Sequence, residues 1–207
     1  MKHKILLLII VAFISIQSFS QTFSTKKNTS ASFKYTINSP YLTFTNFDPE
    51  ASTLYEVHFG YRITPKDMIG IKAVTWKIVA PLGIPWGPYL TNKSENYLGE
   101  LKESGIGITY QRFLWKGLYA SIEVVPLIKK YLDINNKKID NGFRFYTTFH
   151  LGYYIPLFKN RLYIQPQIHC NYWPINTQSP AGFAEQDLKW NNNYFLFEPN
   201  LYIGVNF

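Results

Sequence analysis

A single cysteine, Cys170, is the entire thiol content of the chain, so no internal disulfide can form and a zinc site of the Cys-x-x-Cys kind is excluded. Beyond Ser20 no long uncharged apolar stretch occurs, which rules out a membrane-crossing helix in the rest of the chain. Lys/Arg runs stop at the doublets Lys26-Lys27, Lys129-Lys130 and Lys137-Lys138, too short for a nucleic-acid or polybasic lipid patch. Ala and Glu are scarce, whereas Tyr and Phe number 16 each. That balance favours strands over helices.

The first twenty residues stand apart. Lys2 and Lys4 precede the apolar run Ile5 to Ile16, and small residues follow at Ser18 and Ser20, the layout of a secretory signal peptide. Cleavage after Ser20 leaves residues 21–207 as one mature domain that begins at Gln21. The formal charge of +8 drops by the two lysines, with no acidic residue lost, to +6. Export makes nucleic acid an improbable partner, and residues 22–28 read as a flexible lead-in.

Period-two alternation is the main structural signal. It is clearest from Thr53 to Thr64, where Tyr55, Val57, Phe59, Tyr61 and Ile63 oppose Glu56, His58, Gly60 and Arg62. Seven further segments repeat it: around Phe33–Ile37, Met68–Ala80, Gly105–Gln111, Tyr119–Val124, Gly142–Pro156, Leu162–Asn171 and Phe195–Phe207. The connections alternate in length. Pro65-Lys66, Trp115 to Gly117 and Phe158 to Arg161 are tight turns, while 39–51, 81–103, 131–141 and 174–192 are long, polar and rich in Asn, Pro and Gly. Three short turns and four long loops are what eight up-and-down strands require, with both termini at the short-turn end. The expected fold is an all-β, closed, antiparallel barrel of eight strands.

Alternation alone does not say which face is inside; a soluble, lipocalin-like carrier would bury the apolar one. Here the polar face carries Glu56, His58, Arg62, Lys72, Glu123, Arg144, His150, His169 and Glu198, together with several glycines, as a narrow lumen would. Aromatic residues gather near strand ends, as an interfacial girdle would. The expected arrangement is therefore transmembrane, in the outer membrane of a Gram-negative bacterium, with short periplasmic turns and long external loops.

The chain ends Leu201-Tyr202-Ile203-Gly204-Val205-Asn206-Phe207. With the eight-strand rhythm, this ending resembles the small outer-membrane barrels of the OmpA/OmpX type, and the resemblance covers the whole mature chain. It implies that Tyr202, Val205 and Phe207 form the aromatic-ended terminal strand read by the barrel-assembly machinery, and that outer-membrane lipids surround the wall. It implies no activity. Pro126, Pro156, Pro166 and Pro199 depart from an ideal strand pattern, and bulges are expected chiefly at Pro166 and Pro199. Lys77 and Arg112 fall on the nominal lipid face, where a rim position lets them snorkel.

Three chemistries compete for the lumen and loops. His58, His150 and His169 lie at similar heights beside Glu56, Glu123 and Glu198, a donor set that suits zinc or copper. Packing alone also requires charged groups in a narrow barrel to pair, so a mostly plugged lumen is the leading expectation, with a narrow pore or small-ligand binder behind it. A lipid-modifying enzyme needs catalytic groups toward lipid or at the outer rim, yet the mature histidines face inward and the long loops contain none. No cofactor is called for. An external ligand at the loops is a further reading, with Tyr41, Phe44, Phe47, Trp86, Tyr89, Tyr97, Phe183 and Trp190 as anchors. The third loop, with Asp133, Asn135, Asn136, Asp140 and Asn141, has oxygen donors but no EF-hand spacing.

Overall fold

The computed structural model describes residues 33–47, 52–81, 96–190 and 197–207. The chain divides into a segment 1–30, which lies outside the described residues together with the expected signal peptide, and Ala31–Phe207. The strands are β1 (Tyr35–Pro40), β2 (Thr53–Arg62), β3 (Asp67–Ile78), β4 (Gly99–Trp115), β5 (Leu118–Asp133), β6 (Lys138–Tyr153), β7 (Ile155–Leu157), β8 (Leu162–Asn176) and β9 (Phe197–Asn206). One helix, α1 (Ala181–Trp190), and a 3-10 turn at Tyr41–Phe44 complete the described elements.

Each strand pairs antiparallel with the next in sequence except β6 with β7; β1 pairs with β9, and β6 pairs with β8. Strand β7 follows β6 after a break at Tyr154, so the two form one stave and the barrel closes with eight. Closure at the chain ends is tight: the Tyr35 and Phe207 amides each donate to the other residue's carbonyl at 3.0 Å. No backbone edge is left along that seam, which is the advantage of a closed barrel.

The wall is apolar outside and polar inside. Ile71, Ile106, Ile108, Phe149, Leu151, Ile168, Ile203 and Val205 point outward, with Ile106 and Ile108 68% and 69% exposed. Glu56, His58, Lys72, Glu123, Arg144 and His150 alternate with them and are buried. Phe207 stacks on Tyr35 at 5.9 Å and, with Val205, faces outward, whereas Tyr202 is buried in the lumen. The terminal motif therefore divides between the two faces, as period-two geometry demands.

The tight turns lie where expected. Between Trp115 and Leu118 only Lys116 and Gly117 intervene, with φ of 44° and 97°, the primed geometry that matches strand twist in a two-residue hairpin. Beside the next turn, Asp67 receives hydrogen bonds from Thr64 (2.6 Å), Tyr110 (2.7 Å) and Arg112 (2.6 Å). Arg112 thus sits on the outer face at the turn rim, neutralised by a partner on the facing strand. Lys77 pairs across to Thr53 and Lys102 near the opposite end of β3.

Several expectations need correction. The third long connection is a hairpin of residues 134–137, because β5 continues to Asp133 and β6 starts at Lys138. Asp133 there accepts from the Asn135 and Lys137 amides, both at 2.8 Å, so its carboxylate closes the turn. Strand β4 likewise begins at Gly99, inside the expected second loop, and the fourth connection holds α1. No bulge occurs at Pro166 or Pro199: pairing runs unbroken from Leu162↔Val205 to Cys170↔Phe197. The register shifts fall at Phe113/Trp115, Tyr131/Leu132 and Phe145/Thr147.

Candidate functional site

The lumen is filled in tiers. Nearest the tight turns, Asn206 donates to the Tyr154 hydroxyl at 2.8 Å and Tyr154 to Asn160 at 2.5 Å. Above them Asn38 donates to Tyr163 at 2.9 Å, Tyr119 to Gln167 at 2.6 Å and Gln165 to Gln111 at 3.3 Å. A Cβ on Gly204 would overlap the Tyr163 ring, so glycine at that rung admits the ring to the lumen. This tier is amide and phenol throughout. Its hydrogen bonds join neutral groups only.

The next tier holds the ions. Lys72 Nζ donates to Glu123 Oε2 at 2.7 Å and lies 3.0 Å from Glu56 Oε2. His58 Nε2 is 2.7 Å from Glu56 Oε1 and its Nδ1 3.6 Å from Glu123 Oε1; His150 Nε2 is 3.2 Å from the same Glu123 oxygen. The Tyr202 hydroxyl donates to Glu56 at 3.0 Å. Lys72 on β3 and Glu123 on β5 meet across β4 because the residue opposite Lys72 is Gly107. A Cβ there would already overlap the Val124 carbonyl.

His169 and Glu198 form a pair beside this tier, His169 Nε2 to Glu198 Oε2 at 2.7 Å, and Asn171 Nδ2 donates to the same oxygen at 3.3 Å. An apolar layer of Val74, Val125, Leu127, Tyr146 and Trp173 follows. Beyond it Arg144 lies 3.3 Å from fully buried Glu103, and Lys129 donates to Asn176 at 2.9 Å. At the top Tyr97, Leu101, Tyr131 and Phe183 of α1 pack together, and the Tyr97 hydroxyl donates to Asp187 at 2.5 Å.

Of the nine polar residues expected to gather, Glu56, His58, Lys72, Glu123 and His150 do so, with His169 and Glu198 adjacent. Arg144 belongs to a separate tier above the apolar layer. Arg62 is apart at the turn end, donating to the Pro65 carbonyl at 3.2 Å and lying 4.9 Å from the Phe113 ring centre. The expected metal set His58, His150 and His169 is not brought to one point: His150 and His169 stand edge to face at 5.4 Å, while the compact donor triplet is Glu56, His58 and Glu123. Lys72 already supplies a cation between its two carboxylates, so a divalent ion would meet like charge.

Parity along β5 identifies groups that were missed. If Glu123 faces inward, so must Val125, Leu127, Lys129 and Tyr131, and all four are buried. Tyr97 and Phe183, expected as exposed anchors, are instead the buried cap; Phe44 and Phe47 are exposed, while Trp86 and Tyr89 and the Trp190 side chain lie outside the described residues. Comparison with protein-family models, with curated proteins and with solved structures returned no match. The likeness to the OmpA/OmpX type is accordingly one of architecture: a closed eight-stranded antiparallel barrel.

Proposed function

We propose that this chain is an outer-membrane β-barrel of a Gram-negative bacterium, exported by a cleaved signal peptide, with a structural or surface-interaction role and a lumen closed to solute flow. The observation that carries the reading is the inverted polarity of the wall. A barrel with isoleucines and phenylalanines on its outer surface and paired charges within has the polarity suited to hydrocarbon, where every backbone group must be satisfied within the wall. A lipocalin-like carrier would need the reverse. Outer-membrane lipids are then the main partner, and outward-facing Val205 and Phe207 remain available to the barrel-assembly machinery.

The tiers favour a plug over a pore, since ion pairs, an apolar layer and an aromatic cap succeed one another along the lumen. Support for a lipid-modifying enzyme is weak, because each described histidine is engaged within the lumen. Interaction at the surface is assigned to the tall hairpin β5–β6 and the exposed Phe44 and Phe47. The test is gel mobility of the protein from washed outer membranes, with and without boiling, followed by conductance in a planar bilayer. A heat-dependent shift with no unitary conductance agrees with the proposal. A soluble periplasmic protein of unchanged mobility overturns it, and steady single-channel steps would replace the plug with a pore.

A further inference from the structure

The outer wall carries a row of charge that no run along the chain announces. Strand register sets Lys77 on β3 opposite Lys102 on β4, and Lys102 opposite Lys130 on β5. The three share the parity of the outward residues Ile71, Ile106 and Ile128 on their own strands, so they leave the wall on the same side. Like charges directly opposite one another destabilise a sheet. Glu100 lies 3.3 Å from Lys102, but both side chains are partly exposed and such a pair is weak. A row of this kind suits an anion from outside the chain.

Its height is that of a membrane surface. Lys77 follows Asp67 by ten residues and Lys102 precedes Arg112 by ten, and the Asp67–Arg112 pair marks the turn rim. Ten residues span about 33 Å along a strand, or about 25 Å along the axis of a barrel whose strands tilt by about 40°. The apolar band of an outer-membrane barrel has the same height of about 25 Å. Hydrocarbon that begins at Arg112 therefore ends at the lysines.

Directly beneath the row the wall is indented. Below Lys77 the outward side chains are Thr75 and Ala73, below Lys102 they are Ser104 and Ile106, and Tyr55 and Val57 stand opposite on β2. These six line a groove open to the outside, with small Ala73 as its floor between Val57 and Ile106. The Thr75 and Ser104 hydroxyls, 2.9 Å apart, occupy the level between the apolar rung and the lysines. Apolar, hydroxyl and cationic levels succeed one another as chain, ester and phosphate do in a lipid. A phosphate monoester, with a charge of about −1.5 to −2 near neutral pH, neutralises more of the row than a carboxylate would.

We propose that this strip of β2 to β5 binds a lipid with a phosphate monoester head group in the leaflet at the long-loop end. The phosphate meets Lys102 and Lys130 with Lys77 beside them, and one acyl chain lies over Ala73. The site rests on the membrane reading given above.

The test uses the full barrel in dodecyl maltoside, each variant first shown to keep its heat-dependent gel mobility. Dimyristoyl phosphatidic acid or dimyristoyl phosphatidylcholine is titrated, and the one-lipid complex is measured by native mass spectrometry. The wild type is expected to bind phosphatidic acid at least about tenfold more tightly than phosphatidylcholine. Lys102→Gln and Lys130→Gln should each weaken phosphatidic acid about fivefold, and together about twenty-fivefold. Lys116→Gln at the turn end should change nothing. Ala73→Phe, which fills the groove, should weaken both lipids and leave their ratio intact. Equal affinity of the wild type for the two lipids overturns the inference, as does an unchanged double variant or an equal fall in Lys116→Gln. Displacement of the lipid by excess inorganic phosphate also overturns it, by assigning the row to a free anion. Because the wild-type comparison alone can refute it, a variant that fails to fold does not protect it. Loss of the heat-dependent mobility shift in the wild type would instead count against the membrane barrel itself.

Discussion

At the level of Tyr202 the lumen is ionic: each carboxylate faces a cation, an imidazole or a phenol within 3.6 Å, and the amides beneath are bonded to phenols or to one another. Above it, the same alternation of inward residues leaves a cavity of about 130 Å³ walled largely by Trp76, Tyr146 and Trp173, with His169 and Asn171 both turned to Glu198. The barrel wall is continuous through both regions, so the difference comes from the side chains. Charges placed by a narrow wall must find one another to be tolerated. Bulky aromatics carry no such demand and can meet across the barrel with space left between them.

Breaking the lower region should have the largest effect. Lys72→Met would leave Glu56 and Glu123 facing each other without a cation, at a cost of about 3–5 kcal/mol. The check is the urea concentration at which the barrel loses its heat-dependent mobility; an unchanged midpoint would mean that water already screens the tier. The apolar layer between the regions comes next. Leu127→Ala in this fully buried position is expected to cost about 2–4 kcal/mol in the same assay.

Tyr202→Phe removes a single hydrogen bond to Glu56 while keeping the ring, and about 1–2 kcal/mol should be lost. An equal loss in a Glu56→Leu background, where no acceptor remains, would show that the cost does not come from the bond to Glu56. The smallest effect belongs to the turn rim. Burial pushes the Asp67 carboxyl up, but hydrogen bonds from Thr64 and Tyr110 and the Arg112 guanidinium outweigh it and hold it below the usual carboxylate range. A depressed folded value stabilises the protein above the ordinary carboxylate pKa, and that contribution fades as pH falls through the folded value. Asp67→Asn should therefore cost under about 1 kcal/mol at neutral pH and nothing in strong acid. A difference that persists at low pH would assign Asp67 a role independent of its charge.

Strand number, closure and the inward set Glu56, His58, Lys72, Glu123 and His150 were all legible in the alternation, because a closed wall gives each residue only two directions. Strand height was not. Asp133, Asn135, Asp140 and Asn141 have the composition of a loop, yet the backbone there is strand and hairpin, since polar residues continue a ladder wherever the wall rises clear of the apolar band. That misreading hid the upper tier: Glu103 fell inside an expected loop, and Lys129 stood past Tyr119–Val124, where the alternation of its strand is clearest. The division of the histidines depends on rotamer and cross-barrel distance, which no spacing along one strand encodes. Proline was over-read at Pro166 and Pro199, where the ladder keeps its register.

The inverted wall is the central claim, and Ile108 tests it most directly, standing outward between Ile71 and Val124. With Cys170 replaced by serine, Ile108→Cys becomes the only thiol, and intact outer membranes are treated with a charged maleimide and with a membrane-permeant one. The account predicts that neither reagent labels position 108 in intact membranes, because the reactive thiolate does not form in hydrocarbon, and that both label it once boiling unfolds the barrel. Rapid labelling by the charged reagent in intact membranes or in a soluble periplasmic fraction would place that face in water and contradict it.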